Sequence, residues 1–182
     1  MSDEASAVPE SAGDDAEDAA AHGAVIVGVV PGQPPRVLKE AARYAKILGA
    51  PLLVVHVDVT RFVTYEDPDG YVHSAPIDIN VVAGESDLAS VKDAASGVLE
   101  SSSVSWSVRQ LVGDPALAIK HLAEQVDAKL LVVGTRKRGI GESIREFFTG
   151  SVAARLTHRQ TRPVLVVPLG EPVPDDQDLF TD

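Results

Sequence analysis

The chain contains no cysteine, which excludes disulfide bonds, thiolate metal sites and cysteine nucleophiles. It also contains no long hydrophobic run, since apolar stretches such as residues 24–30 are far too short to span a bilayer. The N-terminus has neither a basic start nor an apolar segment, so it does not resemble a secretory signal. We therefore expect a cytoplasmic protein without a membrane partner.

Basic residues are missing from both ends of the chain. Residues 1–22 carry seven Asp and Glu side chains and residues 171–182 carry five, in a protein of formal net charge −11. Without these twelve, 15 of the 27 acidic residues remain beside 16 basic ones. Low hydrophobicity and a single sign of charge predict that both ends are disordered tails. One domain is expected over residues 23–170.

Between the tails, short apolar runs rich in β-branched residues alternate with helical patterns. The run of residues 104–111 alternates apolar and polar side chains, which predicts a strand at a sheet edge. The alternation of strands and helices predicts an α/β fold with a five-stranded parallel sheet and helices on both faces. The five predicted strands are residues 24–30, 51–59, 104–111, 129–135 and 162–169.

Local signals predict where several of these elements begin and end. Gly49 is expected to end the helix after the first strand. Ser86 is a candidate N-cap for the next helix, and Asp114 followed by Pro115 predicts the start of the third. Residues 60–84 are predicted to form a small hairpin or flap around a Pro-Asp-Gly turn.

Ligands of open parallel sheets bind beyond the carboxyl ends of the strands. Two loops reach that edge here, Pro31-Gly32-Gln33 and the segment 134–150, in which glycines let main-chain N–H groups approach a phosphate. A helix start after Gly150 adds free N–H donors, with the Ser151 hydroxyl beside them. The second loop also carries four cationic side chains that suit an anion, namely Arg136, Lys137, Arg138 and Arg145.

These residues also resemble the universal stress protein family. The likeness covers roughly residues 24–169 and includes the strand "LLVVGT", the Gly134 loop, the Gly150-Ser151 step and the closing "RPVLVVP". In that family a spaced set of glycines followed by Gly-Ser or Gly-Thr binds the phosphates and ribose of ATP. The resemblance implies a Rossmann-like domain with strand order 3-2-1-4-5. It also implies a homodimer paired through residues 163–168.

The chain departs from the family pattern at several positions. The segment between Gly134 and Gly150 is longer, and Lys137 stands in place of the second glycine, with Gly139 or Gly141 as the nearest substitutes. Val30 replaces the aspartate that normally ends the first strand. The predicted nucleotide-binding residues are Val30, Pro31, Gly32, Val57, Gly134, Thr135, Arg136, Lys137, Gly139, Gly141, Gly150, Ser151 and Val152.

No residue is predicted to be catalytic, and the five histidines lack metal-ligand spacing. His56, inside an apolar strand, is expected to be a satisfied core histidine. The resemblance implies a non-catalytic regulator that binds ATP or a related adenine nucleotide, with Mg²⁺ accompanying only the nucleotide. A dimeric interaction module without nucleotide and a slow nucleotide-hydrolysing enzyme are the alternatives. No nucleic-acid partner is expected.

Overall fold

The computed structural model describes residues 17–66, 72–76, 81–135 and 152–170. Within them the strands are β1 (Val25–Val29), β2 (Leu52–Asp58), β3 (Arg61–Glu66), β4 (Val72–Pro76), β5 (Trp106–Val112), β6 (Leu130–Gly134) and β7 (Val164–Val167). The helices are α1 (Arg36–Leu48), α2 (Val81–Leu99), α3 (Pro115–Gln125) and α4 (Val152–Arg159). None of these helices is both long and apolar enough to cross a membrane.

Five strands form one sheet in the order β5-β2-β1-β6-β7, and every neighbouring pair is parallel. Val27 of β1 lies at the centre, paired with Val54 on one side and Val132 on the other. Leaving aside the hairpin β3–β4, this is the order 3-2-1-4-5, so the predicted fold is confirmed. β5 lies at an edge, as its alternating sequence predicts.

The sheet has a core on each face, because successive side chains of a strand point to opposite sides. Val25 and Val27 pack with α1 and α2, in a cluster that also contains Val37 and Val91. Ile26 belongs to the other cluster, together with Ile119 and Leu122 of α3 and Leu156 of α4. Burial on both faces explains why the central strands are almost entirely apolar.

The signals at the helix ends are partly confirmed. Gly49 caps α1 with a left-handed backbone, φ 57°, and the Asp114 side chain accepts a hydrogen bond from the Leu117 amide at 3.0 Å. Ser86 was predicted to be an N-cap, which is wrong, because α2 already begins at Val81. Serine inside a helix costs only about 0.5 kcal/mol relative to alanine, too little to end a 19-residue helix.

The predicted hairpin is present, since β3 and β4 pair antiparallel; its Pro-Asp-Gly turn lies outside the described residues. Of the predicted tails, residues 1–16 and 171–182 also lie outside them. Residues 17–22, assigned above to the N-terminal tail, pack against the domain. Ala21 is buried, Gly23 N–H donates to the Val126 carbonyl at 2.7 Å, and Arg109 donates to Asp18 at 2.5 Å.

Candidate functional site

The carboxyl ends of β1, β2 and β6 open onto one cleft of about 790 Å³, which we call the strand-end cleft. Its walls are completed by the loop after β1, the starts of α3 and α4, and Leu169 after β7. A volume of this size is typical of small-molecule sites. The described part of the chain thus has an open space at the edge of the sheet where the sequence predicts a ligand.

The loop after β1 turns tightly and is held by its own side chain. Gln33 N–H donates to the Val30 carbonyl at 3.2 Å, and the Gln33 side-chain oxygen accepts from the Val30 amide at 3.0 Å. Gly32 has a positive φ of 69°, a conformation that glycine adopts without strain. Val30 itself is 61 % exposed, so an apolar side chain faces solvent where the family pattern has an aspartate.

Gly134, at the end of β6, lies against the loop after β1 and the segment after β7. A Cβ atom built on it would lie 2.6 Å from Gln33 Nε2 and 2.8 Å from Leu169 Cδ1, both inside van der Waals contact. The neighbouring Thr135 donates its amide to the Val167 carbonyl at 2.9 Å. Its hydroxyl accepts from the Leu169 amide at 2.8 Å. The end of β6 is therefore joined to the segment after β7.

The end of β2 contributes two polar residues that sequence reasoning did not assign to the site. Asp58 is only 5 % exposed, and its Oδ1 accepts from the Thr60 amide at 2.8 Å and the Thr60 hydroxyl at 2.6 Å. His56 is 4 % exposed, with Nδ1 3.4 Å from the Val29 carbonyl. Its Nε2 has no partner among the described residues, so the expected core histidine is buried, with one ring nitrogen paired and the other not. The signal for Asp58 was a carboxylate ending an apolar strand.

An ion pair connects α4 to α3 beside the cleft. Arg155 Nη1 donates to Asp114 Oδ2 at 2.6 Å, and Arg155 lines the cleft. Burial raises the pKa of Asp114, but hydrogen bonds from Arg155 and the Leu117 amide, with the guanidinium charge, outweigh it and leave the pKa below the usual aspartate value. Arg155 is the one Lys or Arg among the described lining residues.

Seven of the predicted site residues line the strand-end cleft together: Val30, Pro31, Gly32, Val57, Gly134, Thr135 and Val152. The other six lie outside the described residues: Arg136, Lys137, Gly139, Gly141, Gly150 and Ser151. Within the described ranges, no group of three or more His, Asp or Glu side chains is placed to hold a metal ion.

Known proteins resemble this chain in sequence and in fold. Residues 22–168 match the model of the Universal stress protein family. Among solved structures, a universal stress protein in complex with cAMP has a TM-score of 0.54 and 24 % identity, covering 81 % of this chain and 98 % of that one. The universal stress protein from Archaeoglobus fulgidus in complex with dAMP has a TM-score of 0.52 and 22 % identity, with the same coverage.

Universal stress protein UspA from Lactobacillus plantarum has a TM-score of 0.55 and 20 % identity, covering 81 % of this chain and 99 % of that one. At such low identities, the likeness to these solved structures establishes the fold alone. No curated protein sequence gives a significant match.

Proposed function

The chain belongs to the universal stress protein family, and from this premise we propose that it binds an adenine nucleotide in the strand-end cleft. In this proposal the ligand is ATP or a related nucleotide, with Mg²⁺ only as its counterion. The protein acts as a non-catalytic cytoplasmic regulator of the stress response. Occupancy of the cleft changes its affinity for a partner.

The cleft itself is the observation that carries the proposal. It is open, its volume of about 790 Å³ suits a small molecule, and it lies where open parallel sheets bind nucleotides. Two proteins of the same fold were solved with cAMP and with dAMP, which supports the ligand class. Val57, in β2, and Val30, directly after β1, offer apolar lining for a base.

The phosphate end of the ligand is assigned to the side of the cleft formed by β6 and α4. Val152 lines the cleft at the first residue of α4, and the N-terminus of a helix favours negative charge. Arg155 donates through Nη1 to Asp114, which leaves its other N–H groups for a phosphate oxygen. The predicted contributions of Arg136, Lys137, Gly150 and Ser151 extend the same side of the site.

A second candidate function is a dimeric interaction module without nucleotide. Gln33 and Leu169 lie against Gly134, and the Thr135 hydroxyl already accepts from Leu169. Together with the exposed Val30, these contacts favour a family member whose glycine loop no longer receives phosphate.

Both candidates share the proposed homodimer through residues 163–168. β7 is an edge strand of the sheet, not covered on its outer side by another strand among the described residues, and Val166 on it is 39 % exposed. Pairing with a second copy satisfies such an edge. Light scattering on the full chain tests this state directly, and a monomeric mass at micromolar concentration contradicts it.

Calorimetric titration of the full chain with ATP, ADP and AMP tests the proposed function. We expect saturable heat with one site per chain. Arg155→Gln should weaken the binding about tenfold, the loss of roughly one charge-assisted hydrogen bond. The matched control is Arg43→Gln, which removes an exposed guanidinium of α1 that pairs with Glu40 and lies 5.5 Å from the Tyr44 ring centroid; it should leave the affinity unchanged.

No heat from any nucleotide at millimolar concentration overturns the proposal and favours the interaction module. Release of inorganic phosphate from ATP over hours of incubation, absent from the Arg155→Gln protein, overturns the non-catalytic part and favours the slow hydrolase.

A further inference from the structure

The last described residue, Gly170, directly follows a residue of the strand-end cleft. That residue, Leu169, lines the cleft, and its amide donates to the Thr135 hydroxyl at 2.8 Å. Its Cδ1 would lie 2.8 Å from a Cβ atom built on Gly134. Residues 171–182 therefore begin at the rim of the cleft, beside the end of β6.

Residues 171–182, which we call the acidic segment, carry charge of a single sign. They contain no Lys or Arg, and their acidic residues are Glu171, Asp175, Asp176, Asp178 and Asp182. Asp175 is the fifth residue after Gly170 and can therefore reach about 16 Å from it along an extended chain. β7 lies two strand spacings, about 10 Å, from β1. The acidic segment is thus long enough to bring carboxylates into the cleft.

The charged side chains of the cleft lie on two sides. Asp58 and Asp87 line it at β2 and α2, whereas Arg155 lines it at α4. Val152, the first residue of α4, also lines the second side, and the N-terminus of a helix favours negative charge. β7 pairs with β6 and contacts α4. The acidic segment therefore begins on the side of Arg155, where an anion is favoured, and away from the two carboxylates.

Arg155 has donors for such an anion. Its side chain is 30 % exposed, and its Nη1 donates to Asp114. A guanidinium carries five N–H donors in a planar fork, so one bond to Asp114 leaves others that can reach a second acceptor. Carboxylates and phosphates both accept such charge-assisted hydrogen bonds.

We propose that the acidic segment docks on the Arg155 side of the strand-end cleft and competes there with the phosphate groups of a nucleotide. Because the segment is attached to the domain beside the cleft, its effective concentration there is on the order of millimolar. The inference rests on the proposed function and adds an autoinhibitory contact to it. The family model ends at residue 168, so the acidic segment lies beyond the residues that match the family.

Docking is tested first on the full chain without nucleotide. The neutralised variant combines three substitutions, Asp175→Asn, Asp176→Asn and Asp178→Asn. We expect the backbone amide signal of Val152 and the side-chain Nε–H signal of Arg155 to differ from those of the wild-type protein, with the Gly49 signal unchanged. The control variant removes the same number of charges near the N-terminus, by Asp3→Asn, Asp14→Asn and Asp15→Asn, and should leave all three signals in place.

Calorimetric titration with ATP and with adenosine then measures the competition. The neutralised variant should bind ATP about tenfold more tightly than the wild-type protein, the result expected if the acidic segment occupies the cleft about nine tenths of the time. Adenosine has no phosphate, so both proteins should bind it equally. The control variant should bind ATP with the affinity of the wild-type protein.

Identical Val152 and Arg155 signals in the neutralised variant and the wild-type protein overturn the docking. An unchanged affinity of the neutralised variant for ATP overturns the competition. An equal gain in the control variant does the same, because net charge alone then explains it. Shifted signals in a protein that binds neither ATP nor adenosine support the docking and overturn the proposed function, so the two failures are distinguishable.

Discussion

Arg155 and Asp114 lie 2.6 Å apart, Nη1 to Oδ2, and join two helices that begin at the same edge of the sheet. Asp114 also caps α3 through the Leu117 amide. One carboxylate thus begins a helix with one oxygen and holds an arginine of the strand-end cleft with the other. The stability of α3 and the position of Arg155 are therefore linked.

Asp114→Ala should lower the free energy of unfolding by about 1–2 kcal/mol, since it removes both the N-cap and the ion pair. Asp114→Ser keeps a capping hydroxyl and removes only the pair, so it should lose about half as much. Urea unfolding followed by fluorescence of Trp106, the single tryptophan, measures both variants. Equal losses in the two proteins contradict the dual role of Asp114.

The ion pair between Asp114 and Arg155 should also make the free energy of unfolding depend on pH. Its folded-state pKa is lowered, so its contribution is fully present above the unfolded value of about 3.9 and is lost as pH falls through the folded value. The difference in stability between the wild-type protein and Asp114→Ser should be constant near neutral pH and shrink below about pH 4. A difference that does not change in acid rules out this linkage.

Gly134→Ala should destabilise the protein by about 1–3 kcal/mol, because the new methyl group overpacks the contact with Gln33 and Leu169. Gln33→Ala in the same chain removes the amide that lies 2.6 Å from the new Cβ. The double variant should be more stable than the sum of the two single losses predicts. A double-mutant cycle in urea measures this coupling, and strict additivity contradicts it.

Asp18→Asn should loosen the N-terminal segment, because it removes the negative charge of the side chain that Arg109 contacts at 2.5 Å. Amide exchange at Gly23, whose N–H donates to Val126, should speed up about fivefold, equivalent to about 1 kcal/mol. Glu17→Gln is the matched control, since Glu17 lies 3.7 Å from the same arginine and its side chain is 73 % exposed. Equal acceleration in both variants argues against a specific anchor.

The fold was predictable because the pattern of apolar burial that drives folding is visible in short segments of the sequence. β1, β2 and β6 are buried on both faces, so each is a mostly apolar run, and such runs alternating with helices indicate a parallel sheet. Gly49 and Asp114 end or begin helices through contacts within a few residues, which a sequence pattern captures. Ser86 shows the limit of such signals, because a weak local preference does not stop a longer helix.

What the sequence did not predict depends on contacts between distant residues. Arg109 donates a hydrogen bond to Asp18, which lies 91 positions away in the sequence. No local pattern near the N-terminus predicts that pair. Asp58 looked like the end of an apolar run, and its place in the cleft follows only from the pairing of β2 with β1. Gln33 was expected in the loop after the first strand, whereas its contact with Gly134 required the folded chain.

Backbone amide shifts on addition of AMP test the central claim most directly, because they locate the ligand residue by residue in the full chain. We expect saturable shifts at the ends of β1, β2 and β6 and at the start of α4, around Val30, Asp58, Thr135 and Val152, with the far end of α1 near Gly49 unchanged. Shifts confined to residues outside the strand-end cleft, or none at millimolar AMP, contradict the account.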